Sequence, residues 1–319
     1  MLNRLVLLVT ALIVGALACS DGAEQARALE DRCGSEDMAA CLELGIQFVR
    51  GHQVLSDWRR ASALFEEACD GGMPEACTRL AWMHLHLRAR DRGVRPDSAA
   101  ATELYERACD DGFANGCVGL AELYLQKDSI VEDVEPTGPL QDLAHAVQLL
   151  NQACDAGEMM GCVRLGLLHR DSVGVEADPV RATELFGRAC DDGQQLGCAH
   201  FGHSLEIGFG APEDVSRASA LYEASCETDD TTGCFFLGGL HERGVHLAQD
   251  YDRALDLYED ACYGNVERDS GSPGVAESCF RAAELYVTGT AGEGRRYRSI
   301  DFYRRACRMG YLEACEREG

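Results

Sequence analysis

D-P-V-R-A-T-E-L-F-G-R-A-C-D-D-G-Q-Q-L-G-C, residues Asp178 to Cys198, reads as one helix, one turn and the start of a second helix. Asp178 suits the N-cap, where its carboxylate can accept from the free N–H groups of the first turn, and Pro179 follows at the first helical position, where no N–H is needed. Ala182, Leu185, Phe186 and Ala189 recur at helical spacing and mark one side for burial. Gly193, three residues after Cys190, can take the left-handed backbone that ends a helix. Cys190 and Cys198 therefore flank a turn.

The other cysteines fall on the same ruler. First cysteines stand at Cys33, Cys69, Cys109, Cys154, Cys190, Cys226, Cys262 and Cys307, in steps of 36, 40, 45, 36, 36, 36 and 45 residues. All but Cys262 have a second cysteine eight positions on, giving Cys33/Cys41, Cys69/Cys77, Cys109/Cys117, Cys154/Cys162, Cys190/Cys198, Cys226/Cys234 and Cys307/Cys315. Cys262 pairs most simply with Cys279, the gap having grown within the Gly/Ser/Pro-rich run Gly264 to Gly274. A period of this size signals a stacked helical array, in which one unit cannot bury its own apolar face and neighbours cover it.

The recurring pattern A-x-x-L-[FY]-x-x-A-C, a Gly turn, a second Cys and then L-[GA] resembles the Sel1-like repeat, a relative of the tetratricopeptide helix pair, from residue 30 to residue 316. With two cysteines eight apart in nearly every unit, it is similar to the cysteine-rich repeat proteins of Helicobacter. The resemblance implies an all-α fold, a right-handed α/α superhelical solenoid of about seven disulfide-stapled helix pairs. It also implies that each disulfide joins helix B of one repeat to helix A of the next. The bare spacing agrees, since two cysteines eight apart in one continuous helix would stand about 12 Å apart along its axis, too far to bond.

On this reading, A helices begin at Cys41, Cys77, Cys117, Cys162, Cys198, Cys234 and Cys279, and B helices run up to Cys69, Cys109, Cys154, Cys190, Cys226, Cys262 and Cys307. Six B helices open with aspartate twelve residues before the cysteine: Asp57, Asp97, Asp142, Asp178, Asp214 and Asp250. The last has Arg295 there and is expected to be less well capped. Longer A-to-B loops, Arg88 to Pro96 and Asp128 to Pro139, carry Pro and Gly and are expected to bulge from one edge.

Residues 1–18 carry one positive charge at Arg4, an apolar run from Leu5 to Leu17 and the ending Ala16-Leu17-Ala18. The run is too short for a membrane span and reads as an export signal peptide. Export places the cysteines in an oxidising compartment, where an even set reads as disulfides. Of 17 cysteines, eight pairs leave Cys19 over. Standing directly after the expected cut, it resembles the acylated residue of bacterial lipoproteins. The expected organisation is thus signal peptide 1–18, tether and cap helix 19–32, and repeat solenoid 33–319. The protein would reside in the periplasm or on the outer membrane of a bacterial envelope, held to the membrane only through its lipid, or be secreted.

The formal charge is −25, from 54 acidic and 29 basic residues. Phosphate binding needs clustered cations, so nucleic acid is disfavoured and basic protein or peptide partners are favoured. Much of the acidity serves helix caps and solvated faces.

Columns within helix A locate a candidate surface. Counting from its cysteine, positions +3 and +4 are mostly Leu and Gly or Ala, and these lie with +7 on the packing side. Positions +2, +5 and +9 lie opposite and vary freely. From them come the candidate binding residues Arg79, Trp82, His86, Arg164, His200, His203, Phe236, Arg243 and Arg281. Trp82 and Phe236 are the anchor candidates, because large rings concentrate binding energy. No cofactor is expected. A metal is not expected either: His200 and His203 lie three apart but lack a third ligand at good spacing, and C-x7-C is wide for a zinc knuckle.

The first reading of function is an exported, disulfide-stapled scaffold for protein or peptide binding in the cell envelope. The alternative comes from the resemblance, whose family carries a label of penicillin binding and weak β-lactamase activity. The serine enzymes use S-x-x-K and K-T-G, whereas the single lysine here is Lys127, in neither motif. No catalytic residue is assigned.

Overall fold

The computed structural model describes residues 24–51, 55–86, 96–125, 142–228, 230–264, 274–290 and 297–317. The chain divides into two compact units, Met1–Glu158 and Met159–Gly319. The first holds α1 (24–33), α2 (Met38–Arg50), α3 (Trp58–Asp70), α4 (Pro74–His86), α5 (Ser98–Asp110), α6 (Ala114–Leu125) and α7 (Leu143–Asp155). The second holds α8 (Met159–Asp171), α9 (Pro179–Asp191), α10 (Gln195–Ile207), α11 (Val215–Glu227), α12 (Thr231–Arg243), α13 (Tyr251–Tyr263), α14 (Ala276–Thr288), α15 (Arg298–Arg308) and α16 (Leu312–Glu316). Within each unit, successive helices from α2 onward pack on one another, and A helices also touch across repeats, α4 on α6 and α10 on α12. This is the all-α stack of helix pairs that the period implies.

The six aspartates cap B helices as their position predicts. Asp57 accepts from Arg59 and Arg60 N–H, and Asp97, Asp142, Asp178, Asp214 and Asp250 each accept from the N–H three residues on. Each cap contributes about 1 kcal/mol. Helix α15 begins after Tyr297 with no side-chain cap; Arg295 lies outside the described residues, as do 88–95 and 128–139 of the two proline-bearing loops.

Most capping aspartates also close the loop behind them. The N–H of Asp57, Asp97, Asp178, Asp214 and Asp250 donates to the +7 carbonyl of the preceding A helix, namely Phe48, His84, His169, Leu205 and His241, at 2.9–3.1 Å. The spacing is nine residues in four of these loops and thirteen between His84 and Asp97. The same bond therefore forms at both of these spacings.

The B-to-A turn is short. Three residues separate α3 from α4, α5 from α6 and α9 from α10. Gly193 at φ +86° lets Gly193 N–H bond Cys190 O and Gln194 N–H bond Ala189 O, a left-handed ending that a side chain would strain. The reversal brings paired cysteines to Cα separations of 4.4 to 4.8 Å. The disulfides include Cys262–Cys279, where Val275 N–H bonds Ala261 O and closes the turn despite the longer intervening chain. Cys154 and Cys162 are likewise disulfide-bonded. Cys19 lies outside the described residues.

The structure corrects the cysteine ruler in two places. The A helices begin three residues before their cysteines, at Met38, Pro74, Ala114, Met159, Gln195, Thr231 and Ala276, because the turn is complete so soon after the glycine. The second correction concerns Cys315, which the ruler pairs with Cys307 but places in no helix. Cys315 does bond Cys307, at a Cα separation of 4.8 Å, and it lies in an eighth, short A helix, α16. Unlike the other fifteen bonded cysteines, which are buried or half-buried, Cys315 is exposed. The reason is packing: α16 rests on α15, and among the described residues no later B helix covers its other side.

At Gly45, Gly166, Gly202 and Gly238, glycine at +4 gives the neighbouring B helix room for a ring. A Cβ on Gly166 would lie 2.6 Å from the Phe186 ring, and one on Gly45 would lie 2.5 Å from Phe65. Phe186 and Phe65 are each 1% exposed, so neither ring can swing into solvent. Gly166→Ala is expected to cost about 1 to 3 kcal/mol by overpacking, read as a lower urea midpoint. Adding Phe186→Leu should recover part of the loss, since it removes the ring that the new Cβ meets.

Candidate binding face on the A helices

The geometry of helix A separates its two sides clearly. In the seven longer A helices, cysteine, +3 and +4 are almost all buried, while among the described +2, +5 and +9 residues only Gly239 is buried. The variable columns are the less buried side, exposed at Arg79, Trp82, His86 and Arg243 and half-buried at Arg164, His200, His203, Phe236 and Arg281.

In the first unit, α4 presents Arg79, Trp82 and His86. Trp82 is 44% exposed and stacks on His86 with ring centroids 4.8 Å apart and planes 14° apart. His86 Nδ1 lies 3.0 Å from Trp82 O, which holds the imidazole against the indole. Arg79 pairs with Glu75 one turn away at 2.7 Å. The result is a half-open, pre-ordered aromatic shelf with a cation beside it.

In the second unit, the candidates collect on successive A helices. Phe236 of α12 stacks flat on His203 of α10, with centroids 4.5 Å apart and planes 5° apart. It also meets His200 edge-on at 6.2 Å and Tyr222 at 5.2 Å. Phe236 is half-buried, its ring covered by these neighbours, so Trp82 is the more open of the two anchor candidates. Burial pushes the His200 imidazole down to about 3, with Arg170, His203 and Arg164 adding to the effect and Asp171 opposing it. His200 is neutral at pH 7, and half-buried Arg164 on α8 acts on this cluster through its field.

Arg243 and Arg281 lie in a motif that recurs down the unit. The Tyr222 hydroxyl donates to Glu206 Oε2 at 2.8 Å, and Arg243 donates to Glu206 Oε1. One repeat on, Tyr258 and Arg281 both donate to Glu242 Oε2, each at 2.7 Å. Next, Tyr303 donates to Glu284, and Arg317 reaches Glu284 Oε1 at 2.8 Å. Each carboxylate on an A helix is thus held by a phenol of the following B helix and a guanidinium from the next A helix or, for Arg317, from just beyond it. Burial, reinforced by the facing carboxylate, raises the Tyr222 and Tyr258 phenols and pushes Tyr303 up to about 12, so all three stay protonated and donate. Burial alone would raise Glu206, but His203, Tyr222 and Arg243 outweigh it and hold its carboxyl below the usual range.

The sequence reading passed over Glu206, Glu242 and Glu284 and their tyrosines. The signal was present: tyrosine stands four residues before the first cysteine in each of these repeats, with glutamate 16 residues earlier in two of them and 19 in the third.

The one group of metal-type donors close together among the described residues is Cys33, Cys41 and Glu67, and both sulfurs there are in a disulfide. Among the described residues no helix is long and apolar enough to cross a membrane. The disulfides themselves call for an oxidising, exported environment.

Known proteins bear out the architecture. A protective antigen of uropathogenic Escherichia coli with an SLR fold superposes at a TM-score of 0.55 and 21% identity, covering 91% of this chain; the chain spans only 58% of that antigen. A Sel1 repeat protein from Oxalobacter formigenes superposes at 0.62 and 18% identity, over 79% of this chain and 99% of its own. An immunity protein from Pseudomonas aeruginosa superposes at 0.50 and 17% identity, over 76% of this chain and 82% of its own. At these identities the likeness concerns the fold alone. No curated protein matches in sequence. The Sel1 repeat model matches residues 74–113, 135–158, 160–194, 231–266 and 276–311, together more than half of the chain. The chain belongs to the Sel1 repeat family, whose members generally act as scaffolds for protein–protein interaction.

Proposed function

We propose that this protein is an exported, disulfide-stapled scaffold that binds a protein or peptide partner in the bacterial cell envelope through the outward side of its A helices. The observation that carries this reading is the shelf of Arg79, Trp82 and His86, where a tryptophan is held half-open by its own neighbour in place of being buried. A ring ordered before binding loses little entropy on contact, and partly exposed aromatics are where interface energy concentrates. Residues 1–18 would be removed as a leader, the solenoid would begin at residue 33, and Cys19 would carry the acyl chains that hold it to a membrane. Two or more chains are needed for stable anchoring, since one binds marginally.

The test uses immobilised, oxidised chain and envelope extract. Trp82→Ala is expected to weaken partner capture by about 30-fold, the scale of an interface hot spot. Its melting temperature should barely move, because truncating a half-open side chain leaves stability within about 0.5 kcal/mol. Capture undiminished by Trp82→Ala would remove this face from consideration.

A further inference from the structure

The outward side of the second unit opens, over α14 and α16, into a cleft of about 520 Å3. Phe280 and Tyr311 line it with ring centroids 4.9 Å apart. Its two arginines are already engaged, Arg281 by Glu242 and Arg317 by Glu284. Two more carboxylates remain. Glu277 makes no ion pair among the described residues, and Glu313 meets Arg317 at the long distance of 3.5 Å. Both stand beside Tyr311, whose phenol is raised first by burial and then by these two charges.

An aromatic surface flanked by carboxylates without full compensation attracts a cation, through both the ring quadrupole and Coulomb attraction. The same side of the unit shows which cation its chemistry suits. Arg243, Arg281 and Arg317 each place a guanidinium against a glutamate that a tyrosine also holds, and Arg317 Cζ lies 5.7 Å from the Phe280 ring centre. A planar guanidinium can stack on a ring while forking to carboxylates, which a compact ammonium cannot do. The chain's net charge of −25 would further steer a basic segment toward it.

Resting on the scaffold reading above, we infer that this cleft seats an arginine side chain from a basic peptide segment of the partner, stacked on Tyr311 between Glu277 and Glu313. Arginine is preferred over lysine, and a neutral or acidic residue is refused.

The probe is a dye-labelled peptide, G-S-R-G-R-S-G, titrated into the oxidised full chain by fluorescence anisotropy, beside versions carrying lysine or citrulline in place of arginine. The arginine peptide should bind with Kd below about 1 mM. Lysine should weaken it several-fold, and citrulline, isosteric but uncharged, by about tenfold or more. Glu277→Gln with Glu313→Gln should weaken it by about tenfold at an unchanged melting temperature, because the acidic rim is lost. The charge-matched control Glu223→Gln with Glu227→Gln, on the exposed side of α11, should leave it within about twofold if bulk charge alone is screened and weak. The inference is overturned if citrulline binds as well as arginine, if the α11 control weakens binding as much as the cleft variant, or if no arginine binding is measurable. Trp82→Ala keeps the two readings apart. Loss of arginine binding with Trp82-dependent capture intact would sink the cleft alone, while arginine binding that persists when Trp82→Ala captures normally would sink the shelf alone.

Discussion

Full reduction of the sixteen bonded cysteines is expected to leave the chain without a cooperative melting transition at room temperature and above. Each nine-residue ring closes a short loop, and in the loop-entropy account each contributes about 2.5 kcal/mol by restricting the unfolded chain. The larger ring closed by Cys262 and Cys279 contributes about 3 kcal/mol on the same scale. Eight such contributions together exceed the stability of about 5 to 15 kcal/mol typical of a folded domain. Because every ring is local and confined to one turn, the loss should also be divisible. Replacing Cys190 and Cys198 together by alanine should lower the melting temperature by about 5 to 10 °C. Pairs far apart, such as Cys33/Cys41 with Cys190/Cys198, should add nearly independently, as in other one-dimensional arrays. Circular dichroism melts with and without reductant measure this. A reduced chain that melts as the oxidised one does would mean that core packing alone carries the fold.

Mild acid is the second large lever, and it acts through His200. The imidazole is held down to about 3 in the folded chain, against an ordinary value of 6.5, chiefly by burial. When the pH falls below 6.5 the unfolded chain takes up a proton that the folded chain refuses, so stability is lost as pH drops toward the folded value. The slope approaches 1.4 kcal/mol per pH unit for one group, about 2.5 kcal/mol between pH 6.5 and 4.5. Glu206, held low, contributes in the same direction, but only below its unfolded value of 4.5. Asp230 opposes both: burial raises its carboxyl, so acid relieves that strain. The interval from about pH 6.5 to 5 therefore belongs to histidine. His200→Leu should flatten urea midpoints across that interval while changing little at about pH 7.5, where the native imidazole is already neutral. An unaltered acid slope in His200→Leu would show that another group sets it.

The period was legible because a disulfide fixes two positions at once, and a chain that must reverse between Cys190 and Cys198 leaves little choice of topology. Caps were legible for the same kind of reason: Asp178 followed by Pro179 has a single physical use. Helix beginnings on the A side were not. Helices α10 and α14 start without a capping side chain, so nothing in the sequence marks Gln195 or Ala276 as a start. The spacing likewise gave Cys315 its bond and not its exposure, which depends on what packs over α16. The side of helix A that varies could be read from the rotation of about 100° per residue, but how open each residue is could not. Phe236 lies in the +2 column as Arg79 does, yet a ring 33 residues earlier, His203, lies flat against it. Contacts of that kind join different repeats, and so do the partners of Arg243 and Arg281. A periodicity argument fixes columns and says little about which neighbours in adjacent columns will meet.

The bond from the capping aspartate N–H to the +7 carbonyl has a consequence for how such a chain can change over time. Where it forms, it seals a repeat from the loop before it, as shown by thirteen residues spanning His84 to Asp97 where nine suffice in the other four loops that carry it. Lengthening a loop so sealed costs only about 0.6 kcal/mol per doubling. Insertions between A and B helices can thus accumulate one at a time, each free to acquire its own specificity, while helix spacing and disulfide register are inherited unchanged.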